Sequence, residues 1–146
     1  MRNKKGFTLI ELLVVIGILA VLLAITLIAI NPAQQISSAE DTKRKSDVNA
    51  ILNAVNQYMV ATNGTIPAPI TTSPTFIGDA QGEANICGFL VPTYLAALPR
   101  DPSVVGGADI TVCTGYSTGY SIKKTVANRI VVTAPTAASG TIEVTR

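Results

Sequence analysis

Three residues near the start of the chain have types and spacing that suit chemistry. Gly6 follows a basic stretch containing Arg2, Lys4 and Lys5, Phe7 opens a long apolar run, and Glu11 sits inside that run. A carboxylate at mid-bilayer depth costs on the order of 2.5 to 3.5 kcal/mol, and charges placed there usually mark function. Near the end of the run Glu11 can reach the headgroups, which is the plainer reading. The sharper one supplies a cation. Scission between Gly6 and Phe7 gives Phe7 a free α-amine four residues from Glu11, and that ammonium can neutralise the Glu11 of a neighbouring copy. An unpaired charge in an apolar bundle is the costly alternative, so such a pair fixes the axial offset between copies.

Cys87 and Cys113 are the only cysteines. Both lie in the part expected to face away from the cytoplasm, where disulfides persist. Pairing them contributes roughly 3 to 4 kcal/mol on a chain-entropy estimate; the alternative is two buried free thiols. The chain has no histidine, which removes Ser-His-Asp and Cys-His catalysis and any histidine-ligated zinc site. Two cysteines do not make a structural zinc site, and the carboxylates are scattered along the sequence. The expectation is a protein that is not an enzyme.

The element that must position Glu11 is an apolar helix. Residues 12–30 carry no charge; at about 1.5 Å per residue they span roughly 28 Å, close to the hydrocarbon thickness of a bilayer. A cleaved secretory signal has a shorter apolar stretch followed by a small-residue site. Here the small residue, Gly6, precedes the stretch. The basic leader predicts a single-pass anchor with its N-terminus cytoplasmic and the remainder outside. Net charge is +2; without Arg2, Lys4 and Lys5 the 11 basic residues become 8 against 9 acidic. That balance predicts no basic surface for nucleic acid, with a DNA-uptake role left open in a local patch.

The run Lys5-Gly6-Phe7-Thr8-Leu9-Ile10-Glu11-Leu12-Leu13-Val14-Val15-Ile16 resembles the class III signal of type IV pilins and of the pseudopilins of type II secretion. The resemblance implies cleavage between Gly6 and Phe7 by a prepilin peptidase, N-methylation of Phe7, and Glu11 as the residue that recruits and registers subunits. It also implies a homo-oligomeric helical filament, built from the inner or cytoplasmic membrane by an assembly platform and ending periplasmic or extracellular.

Beyond the anchor, Pro32 is read as a possible kink or as a simple boundary. Residues 33–47 are read as an exposed helix or linker, with Lys43, Arg44 and Lys45 beside Glu40, Asp41 and Asp47 as a solvated face. Val48, Ile51, Leu52, Val55, Tyr58 and Met59 recur at helical spacing and predict a stripe buried against a sheet. Asn63-Gly64 supplies a stop signal. An unbroken helix from Phe7 to about Thr62 is roughly 84 Å long. The prolines of residues 65–82 predict a surface loop, and Pro92 a short helix over 92–98. Strands are predicted at about 109–113, 118–125, 129–134 and 140–145, with a turn at Ala127-Asn128. The fold class is α+β: a long N-terminal helix packed on a head of three or four antiparallel strands. The expected organisation is a leader at 1–6, a membrane or filament-core helix at 7–31, the head's amphipathic helix at 32–63, and loop and sheet at 64–146.

The head also resembles the pseudopilin pattern, most closely that of a major G-type subunit, through Tyr94-Leu95, then Leu98-Pro99-Arg100-Asp101-Pro102. Major pseudopilins commonly hold calcium in the loop that follows, which makes Asp101 and Asp109 candidate ligands, with Ser103 as a further oxygen. The intervening Ser-Val-Val-Gly-Gly-Ala departs from the usual loop, and the expectation is no cofactor. The functional expectation is a structural subunit serving adhesion, motility, DNA uptake or secretion. The alternatives are a minor pilin that initiates or tips a filament, and a non-polymerising membrane protein with a ligand-binding head.

Overall fold

A computed structural model describes residues 6–146; the basic leader residues Arg2, Lys4 and Lys5 lie outside the described residues. The chain divides into two compact units, residues 1–36 and 37–146.

In the first unit, α1 spans Leu9–Ile30, 22 residues that are long and apolar enough to cross a membrane. None of its residues is buried within the chain, as suits a helix whose surroundings are lipid or other helices. The expected unbroken helix is interrupted. Asn31 adopts a left-handed conformation (φ 46°, ψ 77°) and closes α1, and α2 begins at Pro32 and runs to Ala61. The cause is local. A residue before proline is pushed out of the helical region, asparagine tolerates the left-handed one, and proline suits a first helical turn because it has no N–H to satisfy. The Asn31 carbonyl accepts from the N–H groups of Gln34 and Gln35, so α2 starts afresh.

The second unit is the head. From Ser37 onward α2 buries one stripe: Val48, Ile51 and Val55 are fully buried, Leu52 nearly so. Tyr58 continues the stripe with edge-to-face contacts to Phe89 and Tyr94, at centroid distances of 5.6 and 6.0 Å. The helix ends as Asn63-Gly64 predicts: Asn63 has φ 53°, and the Gly64 N–H returns to the Met59 carbonyl at 2.7 Å, the closing bond of a Schellman motif.

The sheet has four antiparallel strands in sequence order: β1 Thr75–Gly78, β2 Ser117–Lys124, β3 Ile130–Ala134 and β4 Ile142–Thr145. Ile77, Tyr120, Ile122, Ile130, Val132 and Ala134 form the sheet's share of the core. The β2–β3 hairpin turns through Val126, Ala127 and Asn128, with Asn128 at φ 57°, a position that asparagine fills readily.

Three elements differ from expectation. Residues 109–113 contribute only an isolated bridge, Ile110 to Leu98, because a disulfide loop occupies that segment. The fourth strand is instead β1, which begins directly after Pro74, where the proline restriction ends. The short helix is α3, Cys87–Leu90, and it precedes Pro92 rather than starting with it.

Candidate assembly site and the polar clasp of the head

At the start of α1, Thr8 is the N-cap and Glu11 the third helical residue, and the two form a reciprocal capping box. The Thr8 hydroxyl oxygen accepts from the Glu11 N–H at 3.3 Å. Glu11 Oε2 accepts from the Thr8 N–H at 2.7 Å and from the Thr8 hydroxyl at 2.7 Å. Two N–H groups that a helix start leaves unsatisfied are thereby paired. Both bonds from Thr8 fall on Oε2, and Oε1 has no partner among the described residues. Phe7 precedes the helix and is 82% exposed, next to Gly6. The sequence placed Glu11 inside an apolar run; Thr8, its local partner, was not singled out.

In the head, the charged stretch 40–47 is the expected solvated face with local ion pairs only in part: Lys43 and Lys45 stay exposed, while Asp41, Arg44 and Asp47 are buried. Arg44 is 2% exposed and Asp101 fully buried. Arg44 Nε donates to Asp101 Oδ2 at 2.9 Å and Nη2 to Asp101 Oδ1 at 3.1 Å, a two-point pair. Arg44 Nη1 donates to Asp41 Oδ1 at 2.9 Å. Asp41 also accepts the N–H groups of Ala138 and Ser139 at 3.0 and 2.8 Å. One turn further along α2, Asp47 Oδ2 accepts from the Tyr120 hydroxyl at 2.7 Å and from Lys43 Nζ at 3.0 Å. Lys43 also donates to the Arg100 carbonyl at 2.8 Å. One face of α2 thus fastens two loops, 98–110 and 135–140, and the centre of β2.

The electrostatics follow from this packing. Burial alone raises the Asp101 carboxyl; Arg44, Ser103 and Thr136 outweigh it and hold the group well below the usual carboxylate range. Ser139 is the largest influence lowering Asp41, and Arg44 adds to it. Arg44 is raised, chiefly by Asp101. Burial pushes the Tyr120 hydroxyl up, and its bond to the Asp47 carboxylate pushes the same way.

Asp101 and Asp109, the candidate calcium ligands, do not come together as a metal site. Asp101 Oδ1 is taken by Arg44 and Ser103, and Oδ2 by Arg44 and Thr136. Asp109 is exposed, and its Oδ1 accepts from the Arg100 N–H at 3.4 Å. No group of three or more acidic, histidine or cysteine side chains among the described residues is arranged to hold a metal. With a guanidinium already against the buried carboxylate, these residues do not fit a calcium site.

Cys87 and Cys113 are joined by a disulfide, with Cα atoms 5.4 Å apart. Tyr116 braces the loop that it closes: its hydroxyl accepts from the Cys87 N–H and donates to Asn85 Oδ1. Asp79 accepts from the N–H groups of Gly115 and Tyr116.

Residues 1–27 match the family model of the prokaryotic N-terminal methylation motif. Comparison with curated proteins and with solved structures gave no match.

Proposed function

We propose that this chain is a filament-building subunit of the type IV pilin and pseudopilin kind, cut after Gly6, a reading that the methylation motif over residues 1–27 supports. The observation that carries the reading is Glu11, a lone carboxylate in an apolar helix that is long enough to cross a membrane. A plain anchor has no use for it.

The capping box gives the carboxylate two tasks in turn. Before cleavage, Thr8 satisfies Oε2 and makes Glu11 tolerable near the membrane surface. After cleavage, the Phe7 ammonium of a neighbouring subunit binds Oε1, and α1 passes from lipid into the filament core. The subunit is processed and N-methylated at Phe7 by a prepilin peptidase, held with its leader cytoplasmic and its head outside, and drawn into the filament by an assembly platform. It serves adhesion, motility, DNA uptake or protein secretion, and catalyses nothing itself.

Two measurements test the reading. Intact-mass analysis of membrane-extracted or sheared protein should give a chain that begins at methylated Phe7; a mass retaining residues 1–6 overturns the processing. Glu11→Ala should insert normally and give few or no filaments, and normal filaments from that variant remove the registry role.

A further inference from the structure

The head carries charge at its two ends along α2. At one end the β2–β3 hairpin presents Lys123, Lys124 and Arg129, and Arg146 lies on the Ile130 rung beside them. Among the described residues, Lys123, Lys124 and Arg129 have no ion-pair partner. Among the acidic side chains of the four strands, Glu143 lies on the Thr133 rung. At the tip, Val126 is 97% exposed. The other end lies seven strand residues away, at the start of β2, roughly 23 Å along the strand. There Gly78 pairs with Ser117, Asp79 accepts from the Gly115 N–H, Glu83 accepts from the Ala80 N–H, and Asp109 lies within the disulfide loop. A shallow groove of about 240 Å³ runs along residues 108–116 at that end, with Asp109 and the half-buried Arg100 on its rim and Val112 65% exposed beside them.

Each end therefore joins an exposed valine to charge: the hairpin end is basic, and the groove end carries Asp79, Glu83 and Asp109 against the cations Arg100 and Lys43 beside them. A flexible loop tip would present this weakly. This tip is held by the Thr125–Arg129 backbone bond at 2.8 Å, and the groove is held by the disulfide and by Asp79. The preformed shapes lower the ordering cost of contact.

We propose that the partner of both surfaces is a second copy of this chain: the β2–β3 hairpin of one head docks on the disulfide-loop groove of the next. Lys124 and Arg129 face Asp109 and Asp79, and Val126 meets Val112. The contact is heterologous, one surface on another, so it repeats without closing and yields an open array. It rests on the filament reading above and adds to it a head-to-head-neighbour contact that α1 does not supply. Complementary charges set partner and register here, and like charges in the same place repel.

The test uses the full-length chain expressed in membranes with its assembly machinery. Lys124→Glu with Arg129→Glu should lower sheared filament yield by about tenfold or more, because like charges then meet. Adding Asp109→Lys to that variant should recover filaments, a result that a mere folding defect would not give. A photoreactive benzoylphenylalanine at position 126 should crosslink to residues 108–116 of another copy. Wild-type filaments that tolerate the double reversal, or a crosslink that maps elsewhere, overturn the docking and leave the filament reading standing. Absence of filaments from the wild-type chain overturns both.

Discussion

Arg44 and Asp101 stand 57 residues apart in sequence and meet as a buried two-point pair, at 2.9 and 3.1 Å. The pair fixes the turn of α2 that faces the sheet, because a guanidinium fork has one good orientation on a carboxylate. Removing one partner strands the other charge out of water. Arg44→Met should therefore destabilise the head by about 3 to 5 kcal/mol. Arg44→Lys keeps the charge but loses the fork, and should cost less. Denaturant unfolding of the full-length chain in detergent, followed by near-ultraviolet circular dichroism of the buried tyrosines, measures both. Equal stability of Arg44→Met and the wild type would mean that the stripe from Val48 to Val55 holds the head unaided.

The same carboxylates make stability depend on acid. Asp41 and Asp101 are held below the usual range in the folded head, against about 3.9 in an unfolded chain. Above that unfolded value both are ionised in either state, and their contribution is complete. As pH falls below about 4, the unfolded chain takes up protons that the folded head resists, and the contribution shrinks until the folded groups also protonate. The unfolding midpoint should be level near neutral pH and fall below about pH 4. Asp101→Asn should flatten that acid limb, and an unchanged limb would show that these carboxylates do not govern it.

The sequence makes some of this legible and hides the rest for physical reasons. The helix α1 is visible because a span long and apolar enough to cross a membrane admits few residue types, and Glu11 stands out in it by its charge. The α2 stripe is visible because Val48, Ile51, Leu52 and Val55 keep helical spacing. That stripe continues one turn earlier through Asp41 and Arg44, but a hydropathy pattern stops at the first charge and reads these residues as solvated. Only the arrival of Asp101, Ala138 and Ser139 from distant loops makes them buried. The break at Asn31 is written in the dipeptide Asn-Pro, whose first residue avoids helix. The strand β1 was masked by the prolines around it, which govern only the residues up to Pro74. The bridge at Ile110 replaces a predicted strand because pairing depends on a partner that periodicity cannot supply.

Reduction of Cys87–Cys113 should loosen the groove end of the head. The bond closes a separation of 26 residues, so its loss should cost roughly 3 to 4 kcal/mol on a chain-entropy estimate. Tyr116 loses a fixed neighbour at the same time, since its hydroxyl accepts from the Cys87 N–H. Alkylation of the non-reduced chain should label neither cysteine, and Cys87→Ala with Cys113→Ala should unfold at lower denaturant. Hydrogen exchange should rise first over residues 110–116, where the backbone relies on Asp79 and on the crosslink. A uniform rise across the sheet would instead indicate that the bond supports the whole head.

Calcium gives the sharpest contrast with the pseudopilin pattern that the sequence resembles. In this chain the positive charge against Asp101 belongs to Arg44, and the carboxylate's two oxygens are already engaged by three side chains. A ligand that binds the folded state raises its unfolding midpoint with concentration. Titrating calcium into the full-length chain should leave that midpoint where a chelator leaves it. Asp109, the other candidate ligand, lies exposed on the surface and accepts from the Arg100 N–H instead of approaching Asp101. A calcium-dependent rise in the wild type would show that the loop over 101–109 rearranges around a metal.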